Sequence, residues 1–311
     1  MHTCLPIREV WGTEYLHEGS EFKSHLQKRH MWMLKRVLGV KSSVINWPVL
    51  RECGQEPLQL YWFRATIKFF NCMLESNSAT LRQVLKADLR LAERDEICWS
   101  AHVSAAFGGM HSEDIFKQKM RSVTKLPMQE FLGELRHRQQ KVWREAETLN
   151  PREARKKAVT YHHWCGVPAH PTARVPYRIP AYLFKDLGRE VMRNVCRFRL
   201  GAHCLKVESC KWLGGSNICD KCECAEAQDE KHALFYCKCK EVCELRTKHK
   251  DLFIDLFRPL HAFTRPSNTD FIPFLARFQD MTDPEINAFL NQDSCRLSKF
   301  LSELVSIFDA G

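Results

Sequence analysis

Residues 219–237 read Cys219-Asp220-Lys221-Cys222, nine residues, His232, four residues, Cys237. Two thiolates separated by two residues can grip one ion from a single tight turn. The imidazole and the last thiolate return on a short helix, and four such ligands complete the tetrahedral shell that structural zinc prefers. A full shell leaves no position for water, so the ion is expected to be structural, stabilising a loop too small to fold alone. Asp229 and Glu230 are placed to start the short helix, since acids favour helix N-termini. Ala233, Leu234 and Phe235 are placed to pack it down. Cys224 is an alternative to Cys222, Cys239 is an alternative to Cys237, and Cys243 is a further spare. The competing reading is a stretch of reduced thiols that holds no metal.

Seven of the 15 cysteines fall between Cys210 and Cys243. The others are scattered, and Cys53, Cys72, Cys98 and Cys196 sit in apolar company that suits a small buried side chain. The first 20 residues carry Arg8, Glu9, Glu14 and Glu18 and lack the apolar core of a signal peptide. No apolar run is long enough to span a bilayer. The expectation is therefore a reducing intracellular setting, nucleus or cytoplasm, with thiols and metal ligands rather than disulfides.

Helical periodicity dominates, and the expected fold class is mainly α: a helical bundle with a small zinc knuckle in its C-terminal half. Leu60, Phe63, Ile67, Phe70 and Leu74 form one face of a helix, with Pro57 just ahead of it. Residues 22–41 hold six Lys or Arg and no acid. Leu34, Val37 and Leu38 offer an apolar stripe there, and Gly39 marks a stop. Phe131, Leu135, Val142, Trp143 and Ala146 suggest a long helix over 126–158. Four prolines (Pro168, Pro171, Pro176 and Pro180) make the next stretch extended. This predicts a basic helical domain over 1–165, a linker over 166–182, and a second helical domain over 183–311. In the second domain, Phe184, Leu187, Val191, Val195 and Phe198 share a face. Its zinc module covers about 193–243, and its tail is acidic and helical, with Leu297, Phe300, Leu301, Leu304 and Phe308 on one side.

The net charge of +10 favours polyanion partners. The knuckle itself does not: residues 219–237 hold five acids and two lysines. Its flank is basic. Arg193, Arg197, Arg199 and Lys206 are the candidate phosphate contacts, with Phe198, His203 and Trp212 interleaved to stack on bases. A solvated helix face is the plainer reading of such a charge run.

Two blocks carry a family resemblance. Met33-Leu34-Lys35-Arg36-Val37-Leu38-Gly39-Val40, then Asn46, Leu50-Arg51-Glu52-Cys53-Gly54 and Glu56-Pro57-Leu58, resembles the thumb region of LINE-like reverse transcriptases, those of retrotransposons without long terminal repeats. Arg197-Phe198-Arg199-Leu200-Gly201-Ala202-His203, followed by the Cys219, Cys222, His232, Cys237 set, is similar to the zinc-binding segment near the C-terminus of those enzymes. The resemblance implies a segment that holds element RNA or target DNA for a polymerase core supplied elsewhere. Family polymerases hold two metal ions on adjacent carboxylates, and this chain has no Asp-Asp pair; the palm and fingers are expected upstream of Met1. No downstream nuclease pattern follows Cys237. The chain is thus expected to be no enzyme by itself. A protein-interaction module scaffolded by zinc, docking through the acidic tail or apolar helices, and a decayed element are the rival expectations. His162-His163-Trp164-Cys165 sets Cys beside His without a Gly-rich turn or an orienting Asn or Asp, and reads as a packed helix end rather than a nucleophilic dyad.

Overall fold

The three- and four-residue steps from Leu60 produce a helix that buries Leu60, Phe63, Ile67 and Phe70 and half-buries Leu74. The structure is a computed structural model describing residues 25–94, 96–108, 118, 125–129, 132–133, 136–137, 161–165, 179–257, 271 and 281–309. Its elements are helical: α1 (His25–Leu38), α2 (Asn46–Glu52), α3 (Leu58–Glu75), α4 (Ala79–Glu93), α5 (Trp99–Gly108), α6 (Arg189–Arg199), α7 (Lys206–Leu213), α8 (Lys240–Lys248), α9 (Lys250–Phe257), α10 (Asp283–Leu290) and α11 (Cys295–Asp309). Short turns at Tyr161–Cys165, Ala181–Phe184 and His232–Tyr236 join them. Among the described residues the only extended pairing is one bridge, Ile218 to Ala227. No described helix is long and apolar enough to cross a membrane.

The chain divides into two compact units, residues 1–31 with 56–149 and residues 32–55 with 150–311. In the first, the buried face of α3 packs with Leu85 and Leu89 of α4, Val103 of α5, and Leu126 and Leu132. Asn71 fixes the returning chain: its side-chain amide donates to the Leu126 carbonyl and accepts from the Leu126 N–H, both at 2.8 Å. Gln27 Oε1 accepts the Leu58 N–H at 2.8 Å, satisfying one donor at the start of α3.

The second unit is organised on a buried ion pair. Glu52, at the end of α2, accepts from the Arg199 Nε and Nη2 groups and from the Tyr182 hydroxyl. Arg199 also donates to the carbonyls of Leu290 at 2.7 Å and Cys165 at 2.6 Å, and to Asn291 Oδ1 at 3.1 Å. Its exposure is 1% and that of Glu52 is 0%. Trp47 meets the Tyr161 ring edge-on beside them. These contacts are why residues 32–55 and Tyr161–Cys165 join the C-terminal unit, so the division does not follow the boundary expected at the prolines. The proline-rich residues 166–178, residues 1–24 and most of the long helix expected over 126–158 lie outside the described residues.

Two further expectations shift. The buried side of α1 is Gln27, Met31, Lys35 and Leu38; Val37 is exposed and Leu34 only half-buried. Lys35 is drawn inward because its ammonium donates to the Ser42 carbonyl at 2.7 Å. Phe184 is 73% exposed in a separate turn, and α6 begins only at Arg189. Gly39 does end α1. At φ +68° it closes the helix with paired bonds from Val40 to the Lys35 carbonyl and from Gly39 to the Arg36 carbonyl. Gly201 ends α6 the same way. In the described part of the acidic tail, α10 and α11 are helical, and Leu297, Phe300, Leu301, Leu304 and Phe308 are all buried.

Removing one partner of a buried pair strands the other charge. Glu52→Ala is therefore expected to cost about 3–5 kcal/mol in urea unfolding, and Glu52→Ala with Arg199→Met clearly less. A single substitution costing no more than the double would show that the two charges do not depend on each other.

Candidate metal centre

The local fold brings four separated side chains together. The chain enters along the Ile218–Ala227 bridge, where the Cys219 N–H donates to the Glu226 carbonyl at 2.8 Å and the Gln228 N–H to the Asn217 carbonyl at 2.8 Å. Within this loop, Ala225 takes φ +53°. Asp229 then starts the next turn: its carboxylate accepts the His232 N–H at 2.7 Å and its carbonyl the Ala233 N–H at 2.9 Å. The turn His232–Tyr236 is wound wide, so that the Cys237 N–H reaches back five residues to the His232 carbonyl at 2.8 Å.

As a result one ligand atom from each of Cys219, Cys222, His232 and Cys237 lies within 4.8 Å of all the others. Cys219 Sγ and Cys237 Sγ are 4.0 Å apart, and Cys222 Sγ lies 3.4 Å from His232 Nε2. These four can hold a metal ion. No other group of three or more such side chains converges among the described residues. Cys224 and Cys239 stand outside the group; the Cys239 thiol donates instead to Glu241 at 2.6 Å. Cys243 points to the Cys237 carbonyl.

The surroundings orient the ligands. His232 Nδ1 lies 3.1 Å from Glu226 Oε2, which leaves Nε2 for the centre. Gln228 Nε2 donates to Cys219 Sγ at 3.4 Å. Burial pushes the Cys222 thiol up, but the Cys224 and Lys238 N–H groups outweigh it, leaving the thiol below its ordinary value. Burial raises the Cys237 thiol strongly, and the neighbouring thiols Cys219 and Cys222 add to this. A cation at the centre reverses that balance, because it stabilises every thiolate around it.

Two supporting groups carry no motif. Arg246, 2% exposed, donates to the carbonyls of Leu234 at 2.8 Å, Cys237 at 2.7 Å and Ala233 at 2.9 Å, with that of His232 at 3.4 Å. One guanidinium thus gathers carbonyls of the turn that carries two of the four ligands, sharing that of His232 with the Cys237 N–H. Burial lowers it to about 10, opposed by the thiols of Cys243 and Cys237. The sequence signal is its place: Val242, Leu245 and Arg246 share one face of α8, so a base occupies an apolar register. The second group is the buried pair His203 Nε2 to Glu230 Oε1 at 2.8 Å, which ties the turn after α6 to the turn bearing His232. Ala233, Leu234 and Phe235 are buried as expected. Phe235 joins a ring cluster with Phe253 and Phe289, so the loop is anchored to the core of its unit.

The four candidate phosphate contacts are not equivalent. Arg199 is buried and bound to protein oxygens, so it is a structural residue and no phosphate contact. Arg197 pairs with Asp309 and turns to the Ala202 carbonyl. Lys206 pairs with Asp220 at 3.0 Å. Arg193 is exposed and its side chain crosses Gly39, where a Cβ would stand 2.6 Å from Arg193 Cγ. Phe198 and His203 are buried against each other and cannot stack on bases from outside. Cys165 is buried, and that burial pushes its thiol up to about 12, away from the thiolate that a nucleophile requires.

Comparison of the chain with protein-family models, with curated proteins and with solved structures finds no match.

Arg246→Met is expected to unfold the protein about 3 kcal/mol more easily, since several buried carbonyls lose their donor. It should also weaken Co2+ binding, read by the cobalt–thiolate absorption under chelator competition, by about tenfold or more. Unchanged cobalt affinity in a folded variant would remove Arg246 from the support of the centre.

Proposed function

We propose that the chain is a non-catalytic nucleic-acid-binding segment whose C-terminal unit is held by one structural zinc ion in a Cys219, Cys222, His232, Cys237 knuckle. In this reading it works beside a polymerase core of the LINE-like kind that its two sequence blocks resemble, holding RNA or DNA.

The choice of zinc rests on donor chemistry and spacing. A tetrahedral zinc with ordinary bond lengths separates two sulfurs by roughly 3.8 Å, and a sulfur from a nitrogen by roughly 3.6 Å. The distances of 4.0 Å and 3.4 Å lie close to both. Three soft thiolates with an imidazole suit zinc over the hard, oxygen-seeking ions.

The observation that carries the nucleic-acid reading is the outward side of α1. Its exposed positions are Leu26, Lys28, Arg29, Trp32, Met33, Arg36 and Val37, with no acid among them. Trp32 is 60% exposed, and the Arg36 guanidinium stands 5.3 Å from its ring centre. Cations for phosphates and an open aromatic face for bases are what an unpaired strand requires. Arg193, lying over Gly39, extends the cationic surface from the end of this helix. The rival reading, docking of a protein through the acidic tail, has less to draw on, because α11 is packed into its own unit through eight buried residues.

Purified protein is expected to carry about one zinc per chain, and a Cys219→Ser, Cys222→Ser variant to lose both the zinc and helical signal. Affinity for a single-stranded RNA should fall steeply with salt. Arg36→Ala with Arg193→Ala should flatten the log–log salt slope by about 0.7 for each phosphate no longer neutralised. Trp32→Ala should weaken binding by about 1–3 kcal/mol. Affinity indifferent to salt and to all three changes would overturn the reading.

A further inference from the structure

Helix α4, in the first compact unit, carries a row of cations with no acid set against it. Arg82, Lys86 and Arg90 follow one another at four-residue steps, so they line one side of the helix at intervals of about 6 Å along its axis. All three are exposed, and none makes an ion pair or hydrogen bond among the described residues. The adjoining row, Ala79, Gln83 and Ala87, is exposed and neutral. Of the two acids of α4, Asp88 turns to the start of α5, where its carboxylate accepts the N–H groups of Trp99 at 3.0 Å and Ser100 at 2.9 Å. The other, Glu93, is exposed at the C-terminal end of the row, with Arg94 and the exposed Glu96 after it. The row proper is therefore three cations, bordered by acid at one end only.

Like charges four residues apart disfavour a helix, and this row holds two such pairs in succession. A carboxylate in place of Lys86 would turn both into attractive pairs. A face that meets only water is best served by that alternation; a face without it becomes favourable once an anion lies along it.

The form of the row indicates which anion. It is straight, spans about 12 Å, and is bordered by two alanines that let a partner come close. A lipid surface takes up apolar side chains beside the cations, but Leu81 and Val84, the exposed large apolar residues of α4, stand on the far side of the helix. A nucleic-acid strand repeats its phosphates along a line, and two of the three cations are arginines, whose planar fork fits phosphate oxygens. We infer that Arg82, Lys86 and Arg90 form a second nucleic-acid contact, one that holds the phosphates of a strand and reads no base. This rests on the nucleic-acid reading above and adds a surface of a different kind. On α1 the open ring of Trp32 accompanies the cations, whereas the α4 row has no aromatic side chain and only positions the backbone.

The test follows the affinity of the full, zinc-loaded chain for a mixed-sequence single-stranded RNA through a salt series, by fluorescence anisotropy, beside thermal unfolding. Lys86→Glu is expected to leave Tm unchanged or higher, since it sets a carboxylate four residues from each arginine, and to weaken RNA binding at low salt by about tenfold or more. Arg82→Ala with Lys86→Ala and Arg90→Ala keeps good helix formers in the row. It should flatten the log–log salt slope by about 2, at roughly 0.7 for each phosphate released, and by the same amount on a uridine-only strand. An unchanged slope in the folded triple variant, with Trp32→Ala still weakening binding, would overturn the row and leave the nucleic-acid reading standing. A flattened slope, with Trp32→Ala, Arg36→Ala and Arg193→Ala all without effect, would uphold the row and remove α1 from that reading. Poly-glutamate or phosphatidylserine vesicles bound as tightly as RNA, with the same loss in Lys86→Glu, would overturn the assignment to a nucleic acid. No RNA binding by the unaltered chain would remove both proposals.

Discussion

Arg199 brings a charged group with five N–H donors into a space closed to water, and each surrounding element must offer it an acceptor. Glu52 comes from α2, the Cys165 carbonyl from a turn 34 residues earlier, and the Leu290 carbonyl and Asn291 side chain from the end of α10, over 90 residues later. Displacing any of these segments would leave part of the guanidinium unsatisfied. The pair is costly to desolvate and adds little net stability over a well-packed apolar substitute. What it supplies is selection, because a mispacked α2 or α10 would leave a buried charge without its partner. Tyr182 and Asn291 complete the arrangement: the hydroxyl shares Glu52, and the Asn291 amide in turn holds the Trp164 carbonyl at 3.4 Å.

From Leu290 the order passes to the metal centre. Phe289, one residue before, stacks on Phe253 and touches Phe235, which sits two residues before Cys237. The turn that bears Phe235 is wound too wide for its own carbonyls to be satisfied by the usual helix ladder, and Arg246 takes them up. Both buried arginines therefore do the same thing, gathering backbone oxygens that the local geometry leaves over. Near the centre the charge also matters. Three thiolates around one divalent cation would sum to a single negative charge, and the buried guanidinium of Arg246, bound to the carbonyls of the ligand-bearing turn, would stand against it.

How far the sequence reveals this depends on the range of each interaction. The side chains of α3 and of α11 declare themselves because burial along a helix repeats every three or four residues. The four-residue Cys and His set declares itself because ligand spacing is a local property of one turn and one short helix. Arg199 misleads for the opposite reason. It belongs to a basic series, and nothing within ten residues indicates that Glu52, 147 positions away, will bury it. Lys206 and Arg197 look free in the sequence because Asp220 and Asp309 reach them only through the fold. Phe184 fits the helical register in the sequence yet stands outside α6, since Gly188 precedes the helix and residues 181–184 close a turn of their own.

The enclosure and pairing of these cations change what the net charge of +10 means. Arg199, Arg246 and Lys35 are enclosed, and Arg197 and Lys206 are paired with the carboxylates of Asp309 and Asp220. Residues 219–237, which hold the candidate metal centre, are acidic. What remains outward on α1 is a set of cations interleaved with Trp32, Met33 and Val37, and it differs in kind from a surface that only attracts charge. A duplex offers phosphates and closed grooves, and exposed methionine or valine gains little from them. An unpaired strand turns base faces outward, and every base has one that apolar and aromatic side chains can cover. Under the proposed function, the mixture on α1 suits single-stranded nucleic acid better than duplex: phosphate attraction would bring the strand in and the apolar positions would hold its bases.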